Sequence, residues 1–200
     1  MEETIDIIEK KAAITEVIRS RRSVYADEFL DKEIPDAVIE ELIINATWAP
    51  NYKCTEPWRF IVLRGKHRQK IGEFLLDYYR SNWDEQSFPP SRYEATRNYP
   101  QYATMIVLIM QRSTKVQIKE WEELAAVACA VQNLWLSCAT YGLGGYWDSS
   151  DGAVLYGEKL GLKDNERCLG IFYLGYYKEE PNPKPRRRKL LRKKLTWSEE

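Results

Sequence analysis

Four stretches of the chain carry residue types that could do chemistry. Arg19-Ser20-Arg21-Arg22-Ser23 sets adjacent guanidiniums beside hydroxyls at the end of an apolar-periodic segment. A guanidinium fork next to a hydroxyl suits a phosphate monoester. The same cations are also favoured at a helix C-terminus by the helix dipole, with no ligand involved. Gly142-Leu143-Gly144-Gly145-Tyr146-Trp147-Asp148-Ser149-Ser150 is not a dinucleotide fingerprint, because its glycines follow a helix instead of joining a strand to one. It reads as a helix C-cap with a tight turn, or as backbone brought close to a flat ligand with its amides facing it.

The third stretch is APNYKCTEPWRF, residues 49–60. Prolines at both ends prevent a continuous helix, so this is an ordered loop delivered onto a strand edge, and such loops often carry binding groups. The fourth is the basic run Arg186-Arg187-Arg188-Lys189-Leu190-Leu191-Arg192-Lys193-Lys194. It reads as a solvated end. Nucleic acid or acidic lipid is the sharper alternative, but no aromatic platform is interleaved with the charges.

Other chemistries are disfavoured. A solitary histidine, His67, and four cysteines without a Cys-x-x-Cys pair make a zinc site improbable. No triad or carboxylate dyad stands out, so no catalytic side chain and no metal ligand are assigned. Thirty basic and thirty acidic residues cancel, which removes a global polyanion-binding role while leaving local patches open. The N-terminal residues lack a basic-then-apolar signal pattern, and a cytoplasmic protein with neither disulfides nor membrane contact is expected.

The elements that must position these stretches form a mixed pattern in 200 residues, 44% of them hydrophobic, which suits one domain with a real core. Helical spacing predicts helices over 5–20, 35–47 and 66–80, and apolar runs predict strands over 58–63, 105–109 and 169–175. Residues 82–100, rich in Pro and aromatics, are expected to form an irregular excursion. Residues 124–147 carry no charge, yet Gln132, Asn133, Ser137 and Thr140 and the glycines after them disfavour a membrane span. A buried central helix is expected, with Ala125, Ala126, Ala128, Cys129 and Ala130 permitting close helix approach in a core or a dimer seam.

Taken in order, "RRSVY", "APNYKCTEPWRF", "YGLGGYWDSS", "YLGYY" and "PKPR" resemble the FMN-dependent nitroreductases over about residues 14–188, and most nearly the short NAD(P)H nitroreductases of bacteria and archaea. The resemblance implies an α+β fold with a mostly antiparallel central sheet enclosed by helices and a C-terminal segment exchanged in a homodimer. It makes residues 1–200 one FMN-binding domain, ending in the basic tail 186–200. It also implies that Arg21, Arg22 and Ser23 hold the FMN phosphate and ribityl oxygens, and that Trp48 and Tyr52 reach the cofactor across the dimer. Trp147, Asp148 and Ser149 would lie beside the ring, and Arg186 would return to the phosphate.

The activity so implied is hydride transfer from NAD(P)H through flavin N5 to a nitroaromatic, quinone or similar small-molecule acceptor, in a ping-pong sequence. An enone or halogenated aromatic as acceptor, or a non-catalytic flavin- or nucleic-acid-associated protein, are the alternatives. Tyr25, Cys54, Glu56 and Asp148 stand where the family often has a base, an amide or another base, so less positive charge near the ring and a lower flavin potential are expected. Trp83, Phe88, Tyr93 and Tyr99 are candidates either for shaping the acceptor pocket or for dimer packing.

Overall fold

A computed structural model describes residues 2–179 and 187–198. Its centre is β2 (Thr104–Gln111), whose run TMIVLIMQ is buried at seven of eight positions because both of its faces are covered. β1 (Trp58–Leu63) pairs antiparallel with one side of β2, with Trp58 opposite Met110, and β4 (Glu166–Tyr176) pairs antiparallel with the other. β3 (Leu143–Asp148) completes the sheet on the outer side of β4, giving the order β1-β2-β4-β3. The β2–β4 register shifts between Val107 and Ile109.

Side-chain alternation splits the core in two. Ile106, Leu108 and Met110 of β2, with Phe172 and Leu174 of β4, face α2 (Asp36–Thr47) and α5 (Glu120–Thr140). Met105, Val107 and Ile109, with Ile171 and Tyr173, face α3 (Lys66–Asn82) and α6 (Asp151–Glu158). The architecture is therefore α+β, an antiparallel sheet between helical layers, as the resemblance implied. α1 (Glu2–Ser20) packs sparingly, against α5, and leaves Ile7, Ile8, Ile14 and Ile18 each more than half exposed. Among the described residues, no helix is long and apolar enough to cross a membrane.

Three sequence expectations need correction. The glycine stretch is not simply a turn: only Gly142, at φ +65°, turns the chain after α5, and Leu143–Asp148 continues as β3. α6 was not anticipated; Ser150 caps it by accepting from the Ala153 N–H at 3.4 Å. Residues 82–100 are less irregular than expected, containing a 3-10 turn at Pro90–Arg92 and the short helix α4 (Tyr93–Asn98). Their rings pack onto α3, with Tyr79 5.1 Å from Trp83 and 5.2 Å from Phe88, and Phe88 5.4 Å from Tyr93. α5 behaves as predicted on one side, burying Ala126, Val127, Ala130, Val131 and Leu134, while Ala125, Ala128 and Cys129 line its exposed side. All four cysteines are free, and burial pushes the Cys138 thiol up to about 12.

Glu166 ties the β1 edge to the start of β4. Its side chain is fully buried, accepts 2.7 Å bonds from Arg59 Nε and Nη2 and from Gln111 Nε2, and takes the Lys163 N–H at 3.0 Å. The Arg59 hydrogen bond, outweighing the opposing effect of burial, holds this carboxyl below the usual glutamate range. A depressed folded-state pKa contributes stability that is present above the unfolded value, about 4.3, and is lost as pH falls through the folded one. Glu166→Gln should therefore be less stable at neutral pH and show a shallower loss of stability on acidification. Circular-dichroism unfolding from pH 7 to 2 checks this, and an acid limb as steep as wild type would sink it.

Candidate functional site

α1 stops at Ser20, and the side chain of Arg22 folds back on its end. Arg22 Nη1 donates to the Ser20 carbonyl at 2.7 Å and the Arg19 carbonyl at 3.2 Å, satisfying acceptors that a helix C-terminus leaves open. The dipole role considered for these arginines is thus real for Arg22. Arg21 points the other way, its guanidinium 4.2 Å over the ring of Trp135 on α5, whose Nε1 donates to the Arg22 carbonyl at 3.3 Å. Beyond them the chain docks on the free edge of β3: Ser23 forms a parallel bridge to Gly145, and the Val24 N–H donates to the Gly145 carbonyl at 3.2 Å.

These elements enclose a cavity of about 80 Å³, lined by Arg21, Arg22, Trp135, Gly144, Tyr177 and Glu179 among others. That is far below the roughly 300–1,000 Å³ of a pocket that swallows a whole drug-sized ligand. One chain therefore supplies a seat for an anionic group, not an enclosure for a tricyclic ring. Burial, then the charges of Arg188 and Arg22, lower the Arg21 pKa. Two cations, Arg21 and Arg22, line the cavity, with Glu179 as the carboxylate among its residues.

The glycine stretch runs away from this seat along β3. Trp147 and Asp148 lie two and three residues beyond Gly145, roughly 7–10 Å at the strand rise. The Trp147 indole donates to the Leu169 carbonyl at 2.8 Å, and Asp148 Oδ1 accepts the Ser150 N–H at 2.9 Å; Ser149 is exposed. Tyr146 turns to the opposite face and stacks on Tyr173 at 5.1 Å, with the half-exposed Tyr25 ring 5.0 Å away. Burial first, then Tyr173 and Tyr99, push the Tyr146 pKa far up, so the phenol stays neutral.

Trp48 and Tyr52 are not brought to the arginine seat within one chain. Trp48 caps the end of α2 and is 81% exposed, and Tyr52 opens the following turn at 58%. That turn holds Lys53, Cys54 and Glu56 at positive φ, with the Glu56 N–H donating to Asn51 Oδ1 at 2.9 Å. Arg186 lies outside the described residues. The cavity residues that sequence reasoning did not assign to the site are led by Trp135 and Tyr177. For Trp135 the available signal was a bulky indole in an alanine-rich helix; Tyr177 closes the YLGYY motif, to which no site role was given.

The sequence model described as Nitroreductase family matches residues 18–176. YfhC of Bacillus subtilis (strain 168), named "Putative NAD(P)H nitroreductase", is 30% identical over 187 residues, covering 90% of this chain and 92% of that protein. Among solved structures, the nitroreductase-like family protein from Bacillus cereus superposes with a TM-score of 0.76 at 30% identity, over 94% of this chain and 96% of that one. The FMN-dependent nitroreductase NfnB from Mycobacterium smegmatis, solved with NADPH, shares the fold with a TM-score of 0.72 at 18% identity, over 94% and 99%.

Proposed function

Because the chain belongs to the nitroreductase family, we propose that it is an FMN-dependent oxidoreductase that passes reducing equivalents from NAD(P)H to a nitroaromatic, quinone or similar acceptor. The observation that carries this reading is the placement of Arg21 and Arg22 together on the lining of a small cavity at the free edge of β3. Clustered guanidiniums on one wall favour a phosphate monoester, and the donor set fits the phosphate end of FMN.

In this proposal Arg21 supplies the guanidinium fork to the phosphate while Trp135 fixes its plane. Arg22, committed to the α1 carbonyls, adds charge and rigidity, and the exposed Ser23 hydroxyl is available to the ribityl chain. Arg186 would approach from the tail. Trp147, Asp148 and Ser149 would flank the ring, the first two orienting the strand end through their own hydrogen bonds. Bound FMN supplies the hydride acceptance and delivery, which no side chain of this chain needs to perform.

The ring needs a second wall, and we propose a homodimer in which Trp48 and Tyr52 of one chain cover the cofactor of the other. The isoleucines of α1, the small-residue side of α5 and Trp48 are exposed in one chain, and a partner chain would cover apolar side chains there. Residues 1–200 act in this reading as one domain of that dimer.

A direct test is to purify the protein and add nicotinamide cofactor anaerobically. The preparation should be yellow and dimeric and release FMN, not FAD, on denaturation. NADH or NADPH should bleach it, and a nitroaromatic or quinone should restore the colour with ping-pong kinetics. A flavin bleached by dithionite but by neither nicotinamide would overturn the proposed electron donor, and a flavin-loaded monomer at micromolar concentration would overturn the shared site.

A further inference from the structure

A seat for a phosphate calls for cations, yet a carboxylate stands among the residues that line this one. The chain leaving β4 is what brings it there. Phe29 forms an antiparallel bridge with Tyr177, the Leu30 N–H donates to the Tyr176 carbonyl at 2.8 Å, and the Lys32 ammonium lies 3.8 Å over the Tyr176 ring. The Tyr177 ring rests on β3 so closely that a Cβ at Gly144 would be 2.9 Å from it. Two residues further on, the exposed Glu179 joins Arg21, Arg22 and Tyr177 on the lining of the same cavity of about 80 Å³. The Tyr177 hydroxyl donates to Glu179 Oε1 at 3.4 Å, tying the carboxylate to the wall that the ring forms. Burial, then the Glu179 charge, push the Tyr177 pKa up, so the phenol keeps the proton it donates.

Resting on the functional reading above, we propose that Glu179 is a built-in rival to the cofactor's phosphate, a carboxylate on the seat that limits its preference for FMN over the unphosphorylated flavin. A phosphate monoester carries about 1.5–2 negative charges at neutral pH. Arg21 and Arg22 bring two positive charges to the cavity, and Glu179 offsets one of them. Groups that share the lining of so small a cavity lie within the Debye length of roughly 8–10 Å, so salt screens this repulsion only in part. Because Glu179 is exposed, water weakens its field, which puts the effect on phosphate affinity at roughly three- to tenfold. Riboflavin has the same ring and ribityl chain but ends in a hydroxyl, which carries no charge and can donate to a carboxylate. The two flavins therefore report on Glu179 in different ways.

The test compares full-length wild type with Glu179→Gln, both stripped of bound flavin. The substitution keeps the size of the side chain and an oxygen that accepts from Tyr177, so only the charge is removed. FMN and riboflavin are titrated by flavin fluorescence, and inorganic phosphate by isothermal titration calorimetry. In the variant FMN should bind roughly three- to tenfold more tightly, riboflavin should stay within about twofold of wild type, and inorganic phosphate should tighten along with FMN. FMN affinity that is unchanged or weaker overturns the proposal. Riboflavin tightening as much as FMN also overturns it, because the effect would then reach the ring or the fold and not the phosphate. If wild type binds neither flavin, the functional reading fails by itself, and inorganic phosphate still decides the role of Glu179: a variant that binds it no more tightly than wild type refutes that role.

Discussion

Arg21→Ala should weaken FMN binding roughly 10- to 150-fold, equivalent to about 1.5–3 kcal/mol for a lost charge-assisted hydrogen bond. Arg21 lines the cavity with its guanidinium held 4.2 Å over the Trp135 ring, so its charge is fixed where the phosphate is proposed to sit. Arg21→Lys should recover only part of the loss, because an ammonium keeps the charge without the planar fork. FMN fluorescence quenching measures both, with thermal unfolding of the apo proteins separating lost contacts from lost structure. Undiminished FMN affinity in Arg21→Ala would remove this residue from the site.

Gly170→Ala should be the most damaging small substitution in the β3–β4 ladder. Gly170 adopts φ +113°, and a Cβ there would sit 2.1 Å from the Asp148 carbonyl oxygen and 3.0 Å from Ser149 Cα. Neither strand can retreat easily. Asp148 pairs with Ile171, Trp147 with Phe172, and the Trp147 indole is bonded to Leu169. A backbone clash added to a strained φ places the cost at about 4 kcal/mol or more, out of the roughly 5–15 kcal/mol that stabilises a typical domain. At about 2–4 °C per kcal/mol for a chain of this size, the midpoint should fall by roughly 10 °C or more. Gly142→Ala is the comparison, since φ is +65° but nothing lies within 4 Å, so only the left-handed penalty of about 1–2 kcal/mol applies. Scanning calorimetry of both variants decides the matter; a Gly170→Ala midpoint no lower than that of Gly142→Ala would refute the clash.

These two positions mark where sequence and structure divide. The sequence by itself determined α1, α2, α3, α5, β1, β2 and β4, because each carries an apolar pattern strong enough to declare its period. Fully buried runs such as TMIVLIMQ have few alternatives once both faces must leave water. It also pointed to flavin chemistry, through the family that its motifs resemble and not through any side-chain constellation. The order of its motifs pointed to the right family even where no single motif was specific.

What the tertiary structure alone decided is how the middle of the site is built. LGGYWD has too many glycines for a strand to be legible in it, and β3 exists because the free edge of β4 offers it a ladder and the segment after α1 covers its other side. Arg21 and Arg22 look equivalent in sequence. Their divergence, one onto helix carbonyls and the other over Trp135, depends on where α5 passes, 113 residues further along the chain for the Arg22–Trp135 bond. Local pattern reports burial and period, which are properties of a segment. Which of two adjacent cations folds onto its own helix and which lies over a distant ring is a property of what packs against them.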